Sequence, residues 1–183
     1  FLCREGGKIS VTGNSLNYDI SDKEFALKNE ISEVAAKWIK SRYHTAYPGV
    51  SNNYWPYVQQ ELRATRTLTN PFGRRRLFMD EWGRDLFKEA YAHIPQSTVA
   101  DKINEHGVLY VYYNQSLFKP VELLSQIHDS IVFQIPVPPA CPWAEHAKML
   151  HLIKSSLEQP ILWHNRSFII PADTCLLYTS PSP

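Results

Sequence analysis

An α+β fold is what the order of signals along this chain predicts: a helix-rich first third, then a small antiparallel sheet carrying helices. Three observations carry that expectation. Ser21-x-x-Glu24 and Ser32 each stand before apolar residues at helical spacing, so capped helices open the chain. Arg66–Asn70 and Arg74–Phe78 flank Pro71-Phe72-Gly73, the mark of a hairpin. Val121–Ile127 and Ile131–Ile135 flank His128-Asp129-Ser130 in the same way.

The elements follow in order. A short helix runs from Ser21 through Phe25 and Leu27. The next places Val34, Ala35, Trp38, Ile39 and Tyr43 on one face and stops at Pro48-Gly49. A third covers about 50–64, with Tyr54, Tyr57, Val58 and Leu62 on one side. The long apolar-periodic stretch 84–113 is expected to kink or break at Pro95, and Gly107 weakens it further. Two buried strands then meet at the His128-Asp129 turn. Trp143–Leu157 is an amphipathic helix, Ser167–Ile170 is a last strand, and Trp143 and Trp163 are assigned to the core.

Composition narrows the function. At 183 residues the chain is one domain, or one with a piece of another. With 44% hydrophobic and 20% charged residues it is neither collagen, coiled coil nor disordered. It has no apolar run of about 18 residues, so no membrane span is expected. Nineteen Lys and Arg against 18 Asp and Glu leave a net charge of +1, so any site for a polyanion must be local. Cys3, Cys141 and Cys175 are odd in number and far apart, which argues against a disulfide framework or zinc knuckle and for a reducing compartment. Phe1 opens the chain, and Arg4, Glu5 and Lys8 interrupt any signal-peptide core, so an internal piece of a longer protein is expected. Residues 175–183 follow no period and read as a foreign tail whose removal changes nothing.

Three groups of residues offer chemistry. Asp129 sits on a tight turn; such a carboxylate suits a hard cation such as Mg²⁺, although Asp also favours turns for purely local reasons. Between Leu62 and Met79 lie five arginines (Arg63, Arg66, Arg74, Arg75 and Arg76) and no acid. Arginine pairs bidentately with phosphate, so three of them at a hairpin make a backbone clamp, or else a charged strand that meets acids on folding. Arg4 and Lys8 share a helix face and can meet a triphosphate together. Lys88 and Gln96 flank the expected break at Pro95, while His146 and His151 lack metal-ligand spacing.

Taken in order, these segments resemble the C-terminal part of a family A DNA polymerase, especially its phage-type members, over roughly positions 1–174. Tyr47-Pro-Gly-Val50 is similar to a Y-P-G-V element of the fingers. Thr69-Asn-Pro-Phe-Gly-Arg-Arg-Arg76 resembles the T-x-x-x-G-R-R hairpin. Ala92-His-Ile-Pro-Gln-Ser-Thr-Val-Ala-Asp101 resembles A-P-x-Q-G-T-A-A-D. Gln126-Ile-His-Asp-Ser-Ile-Val-Phe133 resembles the palm motif Q-V-H-D-E-L-V-F.

The resemblance implies an incomplete right-hand polymerase, with residues 1–65 from the fingers, 66–174 from the palm and 175–183 a foreign tail. It implies DNA-templated nucleotidyl transfer to a primer 3′ end with two Mg²⁺ ions. Asp129 would hold metal beside His128 at the primer terminus. Arg4, Lys8 and Tyr18 would meet the incoming dNTP; Arg74, Arg75, Arg76, Lys88 and Gln96 would hold primer–template DNA. No membrane contact is implied, no protein partner is deducible, and the location would be the cytoplasm, the bacterial host's if phage-encoded.

Departures are visible. Tyr18 comes fourteen residues after Arg4 rather than twelve, Thr12 replaces an aromatic or His, Ala92 stands where many members have Asn, and Ser130 replaces a second acid. A single-subunit RNA polymerase, which often has His-Asp-Ser at this turn, and a non-enzymatic nucleic-acid-binding module are the rival readings. Because the other metal-binding Asp would lie upstream of Phe1, this chain alone is expected not to polymerise.

Overall fold

Ser21 and Ser32 cap as their positions require. In a computed structural model of the chain, which describes residues 15–175, the Ser21 hydroxyl accepts from the Glu24 N–H at 3.1 Å and the Ser32 hydroxyl from the Ala35 N–H at 3.2 Å. They open α1 (Asp22–Asn29) and α2 (Glu33–Ala46). Each cap satisfies an N–H that the first helical turn leaves without a partner.

The buried face of α2 is not the expected one. Val34 is 81% and Trp38 62% exposed, while Ala36 is buried, with Ile39 and Tyr43 against Leu16, Ile20 and Phe25. Because α2 packs chiefly on the short α1, its apolar stripe is only wide enough for 36, 39 and 43.

A π-helical turn (Val50–Tyr54) leads into α3 (Trp55–Thr65), whose Val58 and Leu62 are fully buried. They join Leu68, Phe78, Leu86, Ala90, Tyr91 and Ile94 in the main core of the first of two compact units, which divide at Ser97/Thr98. The hairpin of β1 (Thr67–Thr69) and β2 (Arg75–Leu77) follows as expected.

α4 (Arg84–Ile103) runs through Pro95 without the break that is one of the two expected outcomes. Proline lacks the N–H that would reach the carbonyl four residues back, that of Tyr91. The Tyr54 hydroxyl donates to this carbonyl instead, at 2.7 Å, so the bond lost along the helix is replaced from α3's leading turn. Burial pushes the Tyr54 hydroxyl far above its ordinary pKa, keeping it protonated and a donor. Tyr54→Phe should therefore cost about 1–3 kcal/mol, the penalty for a buried carbonyl without a donor. Urea unfolding measures it, and an unchanged midpoint would count against the account.

The helix changes instead at a second π turn (Asn104–Val108), followed by α5 (Leu109–Tyr113) and α6 (Gln115–Phe118). The hairpin of β3 (Glu122–Ile127) and β4 (Ser130–Gln134) comes next, then α7 (Trp143–Leu157), with the expected bounds. Val111, Phe118, Cys141, Met149 and Ile153 form the core of this second unit. A final hairpin pairs β5 (Ile161–Trp163) with β6 (Arg166–Phe168) across His164 and Asn165, both at positive φ, the geometry of a type I′ turn. The sequence pattern marks β6 but not β5.

Among the described residues the strands make three separate two-stranded sheets, not one small sheet. The strands at Asp129 are accordingly not buried: Leu124 and Ile127 are 55% and 43% exposed, because a lone hairpin has neighbours on only one side. Trp143, assigned to the core, is 51% exposed; the residues that α7 buries are His146, Met149, Ile153 and Ser156. Cys175 is disulfide-bonded, which the wide cysteine spacing did not foretell, and Cys141 is free and buried. No helix of the described residues is long and apolar enough to cross a membrane.

His44 lies between the rings of Tyr43 and Trp55, at 5.5 and 5.0 Å, and neither ring nitrogen meets a hydrogen-bond partner. Burial holds its pKa below the ordinary imidazole value; Lys40 adds to this and Asp19 opposes it. As pH falls from about 6.5, the unfolded chain takes up this proton first, so stability falls on acidification and returns as pH rises. Asp22 and Glu24, held below their usual values by lysine partners, add their losses only at lower pH. The check is the denaturation midpoint at pH 7.5 and 5.5, where His44→Phe should show a smaller loss than the parent chain.

Candidate nucleic-acid interface

Asn70 builds the arginine hairpin. It is 1% exposed, and its side-chain oxygen accepts from the Phe72 and Arg74 N–H groups at 3.0 and 2.9 Å. Its amide donates to the Ser97 hydroxyl at 3.1 Å, pinning the turn to α4. Gly73 takes φ +85°, a left-handed position that a side chain would strain. The sequence pattern gave Asn70 no role, although an Asn-Pro pair entering a turn was the available signal.

Strand alternation separates the arginines. Arg76 stands opposite Leu68, on the face that packs inward. Its guanidinium lies 4.6 Å over the Phe78 ring and pairs with Glu89 of α4. Folding thus brings this arginine an acid. Arg75, opposite Thr69, turns the other way and is exposed, and its side chain makes no hydrogen bond or ion pair among the described residues. Arg74 is also exposed.

The anchors at Glu89 and Ser97 are eight residues apart, roughly 12 Å along α4, so the hairpin lies beside this helix. Gln96 is exposed next to that second anchor. Lys88 is half-buried and pairs with Glu24 at 2.9 Å, a partner that DNA would have to displace or share. Tyr18 is half-buried against the first unit's core, and burial raises its hydroxyl pKa. Arg4 and Lys8 lie outside the described residues.

His128 and Asp129 belong to the second unit. They form the whole turn between β3 and β4, with Ile127 paired to Ser130. His128 has φ +52°, a left-handed conformation that costs a non-glycine residue roughly 1–2 kcal/mol and tends to persist at functional sites. The Ser130 hydroxyl braces the turn by donating to the Ile127 carbonyl at 2.8 Å. A register shift between Leu123 and Ser125 marks a bulge in β3.

The root of this hairpin is fixed by close packing. A Cβ on Gly107 would stand 2.3 Å from Ile131 Cδ1 and 3.1 Å from Leu157 Cδ2, so any larger residue would make these side chains of β4 and α7 give way. Below β4, His146 of α7 binds the Pro136 carbonyl at 2.7 Å. The turn therefore holds an exposed carboxylate at the tip of a two-stranded hairpin. Among the described residues no three His, Cys, Asp or Glu side chains gather as a group that could hold a metal ion.

No family model matches the chain, and no curated protein matches it. Among solved structures, its fold is similar to the POL domain of Pol1 from M. smegmatis, determined in complex with DNA primer-template and dNTP. The TM-score is 0.66 at 21% sequence identity, over 85% of this chain. The matched part is 28% of that chain, so this protein spans under a third of its solved neighbour. The fold is that of a piece of a polymerase domain.

Proposed function

We propose that the chain is the C-terminal fingers and palm portion of a phage-type family A DNA polymerase, with residues 1–65 in the fingers and 66–174 in the palm. What carries this reading is the coincidence of four ordered motifs with a polymerase-domain fold: the arginines fall on a hairpin beside α4, Gln96 on that helix, and Asp129 at the tip of a tight turn. The reaction is DNA-templated transfer of a nucleotide to a primer 3′ end. Arg74 and Arg75 hold backbone phosphates, Gln96 and Lys88 contact primer–template, His128 stands beside the primer terminus, and Arg4, Lys8 and Tyr18 meet the dNTP.

One exposed carboxylate does not make a Mg²⁺ site, since this ion demands near-octahedral oxygen ligation. Asp129 would supply one ligand of a pair of ions whose other carboxylates come from polymerase sequence outside these 183 residues. When bound, those ions would neutralise charge on the attacking and leaving oxygens.

The test joins this chain to upstream sequence of a phage-type family A polymerase and supplies primer–template, Mg²⁺ and either dNTPs or NTPs. Incorporation of dNTPs supports the reading, and exclusive use of NTPs overturns it in favour of an RNA polymerase. The 183-residue chain alone should give no extension.

The hairpin makes a separate prediction. Replacing Arg74 and Arg75 with Ala should weaken DNA binding evenly across sequences and flatten its salt dependence by about one unit of slope per lost phosphate contact. Arg76→Ala should flatten it less, because Glu89 already holds that guanidinium. A sequence-selective loss would contradict a backbone clamp.

A further inference from the structure

Arg63, Trp82, Gly83, Arg84 and Phe87 line an open pocket of about 460 Å³ in the first unit, used by none of the roles above. It lies where the last turn of α3, which carries Arg63, meets the amino end of α4. Its walls are aromatic and cationic. Trp82 is 50% exposed, and its ring stands 5.9 Å from that of Phe87 with a 37° tilt. Arg66 lays its guanidinium 4.0 Å over the Trp82 ring and donates to the Asp80 carbonyl at 2.7 Å, which fixes the indole in place. Arg84 is committed to Asp19, donating to its backbone carbonyl at 3.1 Å. Arg63 is exposed, and its side chain makes no hydrogen bond or ion pair among the described residues.

We propose that this pocket takes one unstacked nucleotide of a single-stranded nucleic acid, with the base against Trp82 and Phe87 and its phosphate on Arg63. The volume suits one nucleotide, not a duplex. Arg66 ties the pocket to the arginine hairpin, because β1 starts at the next residue. A strand leaving a duplex held by that hairpin therefore has the pocket near its path. The inference rests on the polymerase reading for its choice of ligand. An acidic peptide fits less well, since a run of carboxylates offers Arg63 a charge but gives the Trp82 and Phe87 rings no planar partner.

The test titrates the 183-residue chain with a blunt DNA duplex, the same duplex with a single-stranded overhang, and oligothymidine. The overhang should tighten binding about tenfold or more, the scale of one stacked base. Trp82→Leu and Arg63→Ala should each remove most of that gain and leave blunt-duplex affinity unchanged, with circular dichroism confirming folded variants. Quenching of tryptophan fluorescence by oligothymidine in the parent chain gives a reading that needs no variant. Binding of the duplex with no overhang gain, or a gain kept in both variants, overturns the pocket alone. Failure to bind any DNA overturns both the pocket and the polymerase reading. Stronger binding of a Glu/Tyr copolymer than of oligothymidine overturns it in favour of a peptide site.

Discussion

Asp129→Asn, placed in a polymerase completed with upstream sequence, is expected to lower nucleotide incorporation by at least about 10³-fold while primer–template affinity stays within a few-fold. The amide keeps the shape of the carboxylate and removes its charge. A group that acts where charge develops is lost from the transition state and hardly from the ground state, so the effect falls on kcat. The exposed turn, braced by Ser130 and rooted by Ile131 at Gly107, does not depend on the carboxylate for its own geometry. The fold should therefore survive the change. Single-turnover incorporation beside an equilibrium binding assay separates the two effects, and near-normal turnover would sink the palm assignment.

Asn70→Ala is the second large effect. Three bonds are lost at once: the Phe72 and Arg74 N–H groups lose the acceptor they share, and the Ser97 hydroxyl loses a donor while keeping the Ile94 carbonyl. A buried group left unsatisfied costs about 1–3 kcal/mol, and water reaches parts of this turn, so about 3 kcal/mol in total is expected. DNA binding should weaken as well, because Arg74 and Arg75 follow the turn that Asn70 holds. Asn70→Ser, whose hydroxyl can make a shorter turn of the same kind, should recover part of the loss. A denaturation series across the three proteins decides this. A cost below about 1 kcal/mol for the alanine variant would mean that Asn70 is not what pins the hairpin to α4.

The local features were legible in the residues. Ser21 and Ser32 announce their helices because a hydroxyl before an apolar period satisfies N–H groups that nothing else can reach. Gly73 and the His128-Asp129 pair announce turns, and α7 has the bounds its pattern implies. Features decided by a distant partner were not legible. Pro95 reads as a break until the hydroxyl of Tyr54, 37 residues away along the chain, is seen on the Tyr91 carbonyl. Val34 and Trp38 fit helical spacing as well as Ala36 does, and only the small size of α1 decides which face is covered. Arg76 could be told from Arg75 only by the register that sets one beside Glu89. The Trp82 pocket joins Arg63 of α3 to residues 82–87 around the start of α4, which no local period of the sequence brings together.

Each hairpin also bears on how the chain comes to be folded. Every strand of the described residues pairs with the strand next to it in sequence, across turns of two to five residues. Closing loops this short costs little chain entropy, so no pairing has to wait for a remote segment to arrive. Chains built from such near-neighbour pairings search quickly, because the slow step in β-rich proteins is the meeting of segments far apart. The first compact unit, whose boundary at Ser97 falls within α4, contains its arginine hairpin and its core in one continuous stretch. On a ribosome, the arginine hairpin and the core beneath it can therefore take shape while the segment that will carry Asp129 is still being made.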